Sequence, residues 1–342
     1  MKTISKPFMM LLFIVTLFSC SSDDDSNVIQ NPINRDIYTC GTESNGMYNI
    51  AKVWKNGIGT DLTDGTRNTI ARSVFVSGND VYVAGYEENS LSRIAKFWKN
   101  GVVTNLSDGS EFAYAYSITV SGSDVYVAGF ESNGTVNVAK IWKNGTAINI
   151  TDGTKSAIAS CVLVNDADVY VGGYETIGTK KVAKIWKNGA AINLSDGSND
   201  NSVSSIAISG TDIYACGYAF NGIKFVAKVW KNGIGTTLTD GINTSYGNSI
   251  AVSNNDVYVT GYESNGTKNI AKVWKNGIAT NLTDGINNAY ASSIFISQTD
   301  IYVGGSEFNG TKNAAKFWKN STATAIEESI LNDQQVYSIF IK

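Results

Sequence analysis

The chain contains no histidine. That absence removes a Ser-His-Asp or Cys-His catalytic centre and any zinc site built on imidazole. It also removes the side chain best suited to move protons near neutral pH. Proline is almost missing too: of 342 residues only 2, Pro7 and Pro32, are proline, both close to the N-terminus. A stretch of roughly 300 residues without proline suits a backbone whose N–H donors are engaged in sheet ladders. There is no excess of one charge, since 27 Lys and Arg face 30 Asp and Glu for a net charge of −3. The basic residues are spread along the chain, so nothing electrostatic points to nucleic acid. After the N-terminal region no segment carries a 3.6-residue apolar period, which argues against amphipathic helices.

What is present is repetition. The phrase AKVWKNG stands at Ala51–Gly57 and returns, with small changes, from Ala95, Ala139, Ala183, Ala227, Ala271 and Ala315. Its tryptophans, Trp54, Trp98, Trp142, Trp186, Trp230, Trp274 and Trp318, are 44 residues apart and are all the tryptophan in the chain. Asp36, Asp80, Asp124, Asp168, Asp212, Asp256 and Asp300 keep the same step. A fixed period of this size marks a propeller, solenoid or array.

Each repeat reads as four short strands. In one of them, Tyr246–Ser253, Val257–Glu263, Asn269–Lys275 and Ile278–Thr283 are separated by Asn/Asp/Gly turns of the hairpin kind. On the third strand Trp274, Lys272 and Ile270 share one face, and Ala271 and Val273 share the other. Both faces are apolar, so both are expected to be covered by neighbouring sheets, as in a propeller blade. The lysine stem lies over the tryptophan surface. Glu263 and its equivalents Glu43, Glu87, Glu131, Glu175 and Glu307 are its expected cross-strand partners. Cys40 and Cys216 share a position held elsewhere by Ala, Gly or Thr, and Cys161 stands where other repeats have Ser. These are expected to be small packed side chains, not a disulfide framework.

The ends choose between a ring and an open stack. Repeat material starts with a second strand at Asp36 and stops with a first strand, Val336–Lys342. The halves are complementary, and a solenoid would need polar caps that this chain lacks. The expected fold is therefore all-β: a seven-bladed β-propeller over 36–342, four antiparallel strands per blade, closed by pairing the C-terminal strand with the N-terminal blade. The stretch Ser293–Trp318, with a strand leading into Gly304-Gly305 and then another strand, resembles a kelch-type repeat. Gly172-Gly173 is also double, whereas other repeats have AG, CG or TG, and the tryptophan lies in strand three, not in strand four. That resemblance implies a binding scaffold or, more rarely, an enzyme.

At the N-terminus Lys2 and Lys6 precede an apolar run, Phe8–Phe18, too short to span a bilayer and of signal-peptide character. Leu17–Cys20 then resembles a bacterial lipoprotein signal, with the bulky Phe18 as a departure, and the acidic residues behind it resemble surface lipoproteins of the Bacteroidetes group. The resemblance implies a signal peptide over 1–19, lipidation of Cys20, a flexible tether over 20–35 and an outer-membrane, cell-surface location. An ordinary secreted or periplasmic protein is the alternative.

Comparing the repeats with one another locates a candidate site. The turns between strands one and two and between three and four barely change. The turn after strand two and the link from strand four to the next strand one change most, and in an up-and-down blade these open on one rim. That variable rim carries Tyr114, Tyr246 and Tyr290 at equal repeat positions, Arg72 and Tyr116 two residues further on, and also Phe112, Phe220, Phe225, Lys180, Lys181 and Arg67. Loops on a rigid scaffold commonly carry binding residues. The competing explanation is free drift of unconstrained loops. Asp64, Asp108, Asp152, Asp196, Asp240 and Asp284 supply one carboxylate per loop, short of a calcium shell, and fit turn chemistry better. Glu111 and Asp200 stand out as acids from their repeat equivalents. The expected function is a monomeric binding scaffold for a glycan or surface protein, with no metal, cofactor or nucleic acid and no catalysis. A lectin with one pocket per blade and a histidine-free, polysaccharide-active enzyme at the channel mouth are the alternatives.

Overall fold

The structure, a computed structural model, describes residues 35–326 and 332–342. The expected signal segment, Cys20 and the tether up to residue 34 lie outside the described residues. Residues Arg35–Lys342 form one compact unit. Its strands make seven sheets of four antiparallel strands. In blade order from the second, the first strands are Thr69–Ser77, Ala113–Ser121, Ala157–Asn165, Asn201–Ser209, Ser245–Ser253 and Ala289–Ser297. Blade one takes its first strand from the C-terminus, Gln334–Ile341, paired with Ile37–Ser44. Backbone bonds from Asp36 N to Lys342 O (3.2 Å) and from Lys342 N to Asp36 O (2.9 Å) complete that pairing. The ring of seven blades is closed as the chain ends imply.

First strands of successive blades pack side by side around the axis, and the short fourth strands form the exposed outer edge. A serine, replaced by Cys161 in blade four, helps to join first strands to their neighbours. Ser73 Oγ accepts from Ile118 N and Ser117 Oγ from Val162 N, both at 3.2 Å. Ser293 Oγ accepts from Ile339 N and Ser338 Oγ from Val74 N, again at 3.2 Å, which carries the pattern across the closure.

The recurring phrase is explained by the interfaces between blades. Trp142 packs with Tyr82, Ala84, Ala95 and Leu106 of the preceding blade. Ala139 and Ile141, on the other face of the same strand, meet Trp186 of the next. The same exchange recurs round the ring, and it includes Trp54 against Ala315, Ile326 and Val336. Each tryptophan is at most 2% exposed. Burying one contributes about 4–6 kcal/mol before entropy is subtracted, so a residue larger than alanine opposite it would hold the wedges apart. Trp230 Nε1 donates to Leu194 O at 3.0 Å, whereas the indole nitrogens of Trp54, Trp98, Trp142, Trp274 and Trp318 are buried without an acceptor among the described residues. The side chain is used for its apolar area.

One irregularity shapes the channel. Every first strand carries a β-bulge: Ala71 pairs with Gly85 and Ser73 with Ala84, so Arg72 has no partner. The bulge draws the carbonyl of the preceding residue onto the second strand. A Cβ on Gly85 would lie 1.9 Å from Ile70 O, and the equivalent distance is 1.7–2.0 Å at Gly41, Gly129, Gly173, Gly217, Gly261 and Gly305. This close approach accounts for the second glycine of each repeat. The first member of the Gly-Gly pair answers to a different, local demand. At Gly172 a Cβ would meet Cys161 Sγ at 2.7 Å and Val203 Cγ1 at 2.6 Å, so glycine there offsets the cysteine that replaces serine.

Candidate functional site

The two rims are built differently. On the constant rim each Asn-Gly turn places Asn in the left-handed region, as at Asn100 (φ 51) and Asn144 (φ 50), which suits a two-residue hairpin. Asn100 Oδ1 accepts from Val81 N at 2.9 Å, and its Nδ2 donates to Asp80 Oδ1 at 2.7 Å. Lys99 reaches the same aspartate at 2.8 Å and covers the Tyr82 ring at 5.3 Å. All seven blades repeat the lysine–aspartate bridge, at 2.6–2.8 Å. Hydrogen bonds from lysine, then from asparagine, hold the Asp80 carboxyl below the usual range. The periodic aspartate read from the sequence is thus a turn fastener. Higher in the blade all six expected Lys–Glu pairs form, for example Lys96–Glu87 at 2.8 Å and Lys272–Glu263 at 2.6 Å. Blade five has Ala219 in place of glutamate, and there Lys228 lies 5.5 Å from the Trp230 ring.

On the variable rim the shared elements are buttresses beneath differing side chains. Asn133 Oδ1 accepts from Thr135 N (3.0 Å) and Val136 N (2.9 Å), and its amide donates to Gly153 O (3.0 Å), tying the two links of a blade together. Asp152 Oδ1 accepts from Thr154 N (2.9 Å) and Thr154 Oγ1 (2.7 Å), the turn chemistry expected of these aspartates. Asp200 is engaged in the same way, accepting from Lys181 N at 2.8 Å.

A cavity of about 790 Å³ occupies this side of the channel. Its lining combines Arg72 and the rings of Tyr116, Tyr174, Tyr218, Tyr290 and Tyr337 with the small polar residues Ser160, Ser202, Ser204, Asn248, Ser292 and Ser306. The bulged residue of every blade, Arg72, Tyr116, Ser160, Ser204, Asn248, Ser292 and Tyr337, is among the lining. The bulge, by re-aiming one side chain per blade, makes the lining. Three residues further along, Phe75 and Phe295 each lie 4.9 Å from Phe340, an apolar group outside the cavity lining.

Of the residues singled out from sequence, Arg72, Tyr116 and Tyr290 line the cavity, and Tyr114, Tyr246, Phe112 and Phe220 do not. Tyr246 belongs to an aromatic arc at the same rim: its ring is 5.0 Å from Tyr218 and 5.2 Å from Tyr262, which is 5.0 Å from Tyr290. Tyr114 stands in a second arc, 4.6 Å from Tyr86 and 4.8 Å from Phe130. Phe220 and Phe225 pair at 5.3 Å beside the first arc. Phe112 is 45% exposed, with the Arg93 guanidinium 5.8 Å from its ring. Lys181 lies 4.8 Å from the Tyr174 ring, and Arg67 meets Glu87 at 3.3 Å. The sequence reading missed Tyr174, Tyr218 and Tyr337.

Burial, with smaller contributions from Tyr218 and Asp200, pushes the Tyr174 phenol up to about 12, and burial likewise raises Tyr116, Tyr218, Tyr262 and Tyr337. At neutral pH these phenols are uncharged and serve as hydrogen-bonding groups and ring faces. Burial also raises the thiols, Cys161 to about 12, so none is a thiolate nucleophile at neutral pH. Arg72 sits among aromatic rings, its Cζ 4.5 Å from the Tyr337 ring and its Nη2 donating to Tyr86 Oη at 3.5 Å. Its Nε is buried without an acceptor among the described residues, an arrangement that costs about 1–3 kcal/mol. No protein-family model matches the chain, and no curated protein matches it.

Proposed function

We propose that this protein is a non-catalytic binding scaffold that takes one glycan end into the cavity on its variable rim. Lipid on Cys20 holds it at the outer membrane, as the lipoprotein-like LFSC segment implies. The observation that carries the reading is the composition of the cavity, whose lining combines tyrosine rings with small hydroxyl and amide groups. Sugars present apolar C–H faces for aromatic rings and hydroxyls for such polar groups, and a concave site of this size suits a small ligand. Identical tryptophans in every blade do not serve as stacking platforms for a sevenfold lectin, because they are buried between blades.

The test is a glycan-array screen with the purified protein, followed by product analysis of any bound oligosaccharide. Saturable binding at one site per chain, without shortening of the glycan, is expected. Replacing Tyr116, Tyr218 and Tyr290, which line the cavity, together by Ala should abolish binding while the far-UV circular dichroism is retained. Unaltered affinity in that triple variant, or steady cleavage of the glycan, would refute the reading.

A further inference from the structure

We propose that Arg72 anchors a carboxylate on the glycan, so that the preferred ligand ends in an acidic sugar such as a uronic or sialic acid. The inference rests on the glycan-binding reading above and specifies its substrate class.

Arg72 is the only charged residue among those lining the cavity. The other arginines are differently placed: Arg67 meets Glu87 at 3.3 Å, Arg93 meets Glu88 at 2.6 Å, and Arg35 donates to Ser297 Oγ. Arg72 takes part in no ion pair among the described residues, and its neighbours are the phenols of Tyr86, Tyr116 and Tyr337. Guanidinium is always protonated in proteins, so among the described residues the cavity lining carries a positive charge with no opposing carboxylate. The fold does not demand it. At the same bulge position the other blades have Ser three times, Tyr twice and Asn once. Stacking on Tyr337 orients the guanidinium plane without neutralising it.

One planar fork matches a planar monoanion. A phosphate dianion would call for at least a second cation, and the lining supplies none. In the same lining, Ser160, Ser204 and Ser292 with Asn248 offer donors and acceptors to the remaining hydroxyls of a sugar.

The experiment measures binding of uronate- and sialic-acid-terminated oligosaccharides, their carboxyl-reduced counterparts and sulfated oligosaccharides to the protein. Wild type should prefer a carboxylated probe, and the preference should shrink as salt is raised. Arg72→Gln should weaken that probe roughly 10- to 100-fold, well beyond its effect on the carboxyl-reduced one. Arg72→Lys should recover part of the loss. Ser292→Asp keeps Arg72 in place and sets a carboxylate in the same cavity, so it should also reject the acidic probe, whether or not the Arg72 variants fold. Equal binding of carboxylated and reduced probes, insensitive to Arg72→Gln, would overturn the anchor and leave the glycan-binding function standing. Equal affinity for sulfated and carboxylated probes would overturn the carboxylate assignment. Binding of none of these saccharides would overturn the glycan-binding function itself.

Discussion

The two rims of the ring are made by the same strands, and they differ in what each repeat is permitted to change. On the constant rim an asparagine amide, a lysine and a tyrosine converge on one aspartate, so every member is fixed by the other three. On the variable rim the asparagine of the hairpin and the aspartate of the outer link satisfy backbone groups, and the side chains above them are free to differ. A fastened rim keeps the wedges at a common angle. An unfastened one supplies one residue per blade, of four different types, to a single cavity.

The comparison breaks most completely if the bulge is removed. Gly217→Ala places a Cβ 1.9 Å from Ser202 O, so either strand must shift. A loss of about 3 kcal/mol in chemical denaturation is expected, together with loss of ligand binding at the variable rim. A wild-type denaturation midpoint would show that the close approach is not a constraint. A smaller effect is expected from Asn144→Ala on the constant rim. This change removes bonds to Val125 N and Asp124, both 2.8 Å, and puts alanine at φ 50. It should cost about 1–2 kcal/mol and leave binding intact, and a change in affinity would mean that the rims are coupled. The smallest effect near neutrality is that of pH. Unfolded tyrosine releases its proton near pH 10, and the buried rim phenols hold theirs to higher pH. Their stabilisation is therefore whole below about pH 10 and is lost as pH climbs through the folded values. Lysines of the constant rim, raised first by their aspartate hydrogen bonds, add a loss of the same sign. Denaturation midpoints should be flat from about pH 6 to 9 and fall above 10, with part of the tyrosinate absorbance appearing only on unfolding.

Much of the architecture was open to reading because it is periodic. Trp54 to Trp318 at one interval, and the complementary half-repeats at the ends, imply a closed ring of seven, and strand alternation assigns Trp274 and Ala271 to opposite interfaces. The site was open only in part. Arg72, Tyr116 and Tyr290 stand at positions that vary from repeat to repeat, so comparing repeats exposes them. Tyr174 and Tyr218 sit where Tyr86 and Tyr262 also have tyrosine, and uniformity reads as packing. Tyr337 lies in the split blade and falls one residue out of step with the repeat that places Ser292. The bulge is hidden because all seven repeats share it, and alternation alone assigns its extra residue to no definite face. Its one trace is the glycine that never varies in the second strand.

Near-identical wedges create a hazard of miscounting, since any inner ribbon is chemically suited to sit beside almost any other. Splitting one blade between the chain termini resolves this. A six-membered circle would strand two half-blades with raw edges, and an eight-membered one would keep those halves apart, each with an unpaired edge. The termini thereby act as an inventory check, satisfied only when all members are present and in order, so that the seven bulge residues around the cavity, Arg72 among them, always meet in one fixed arrangement.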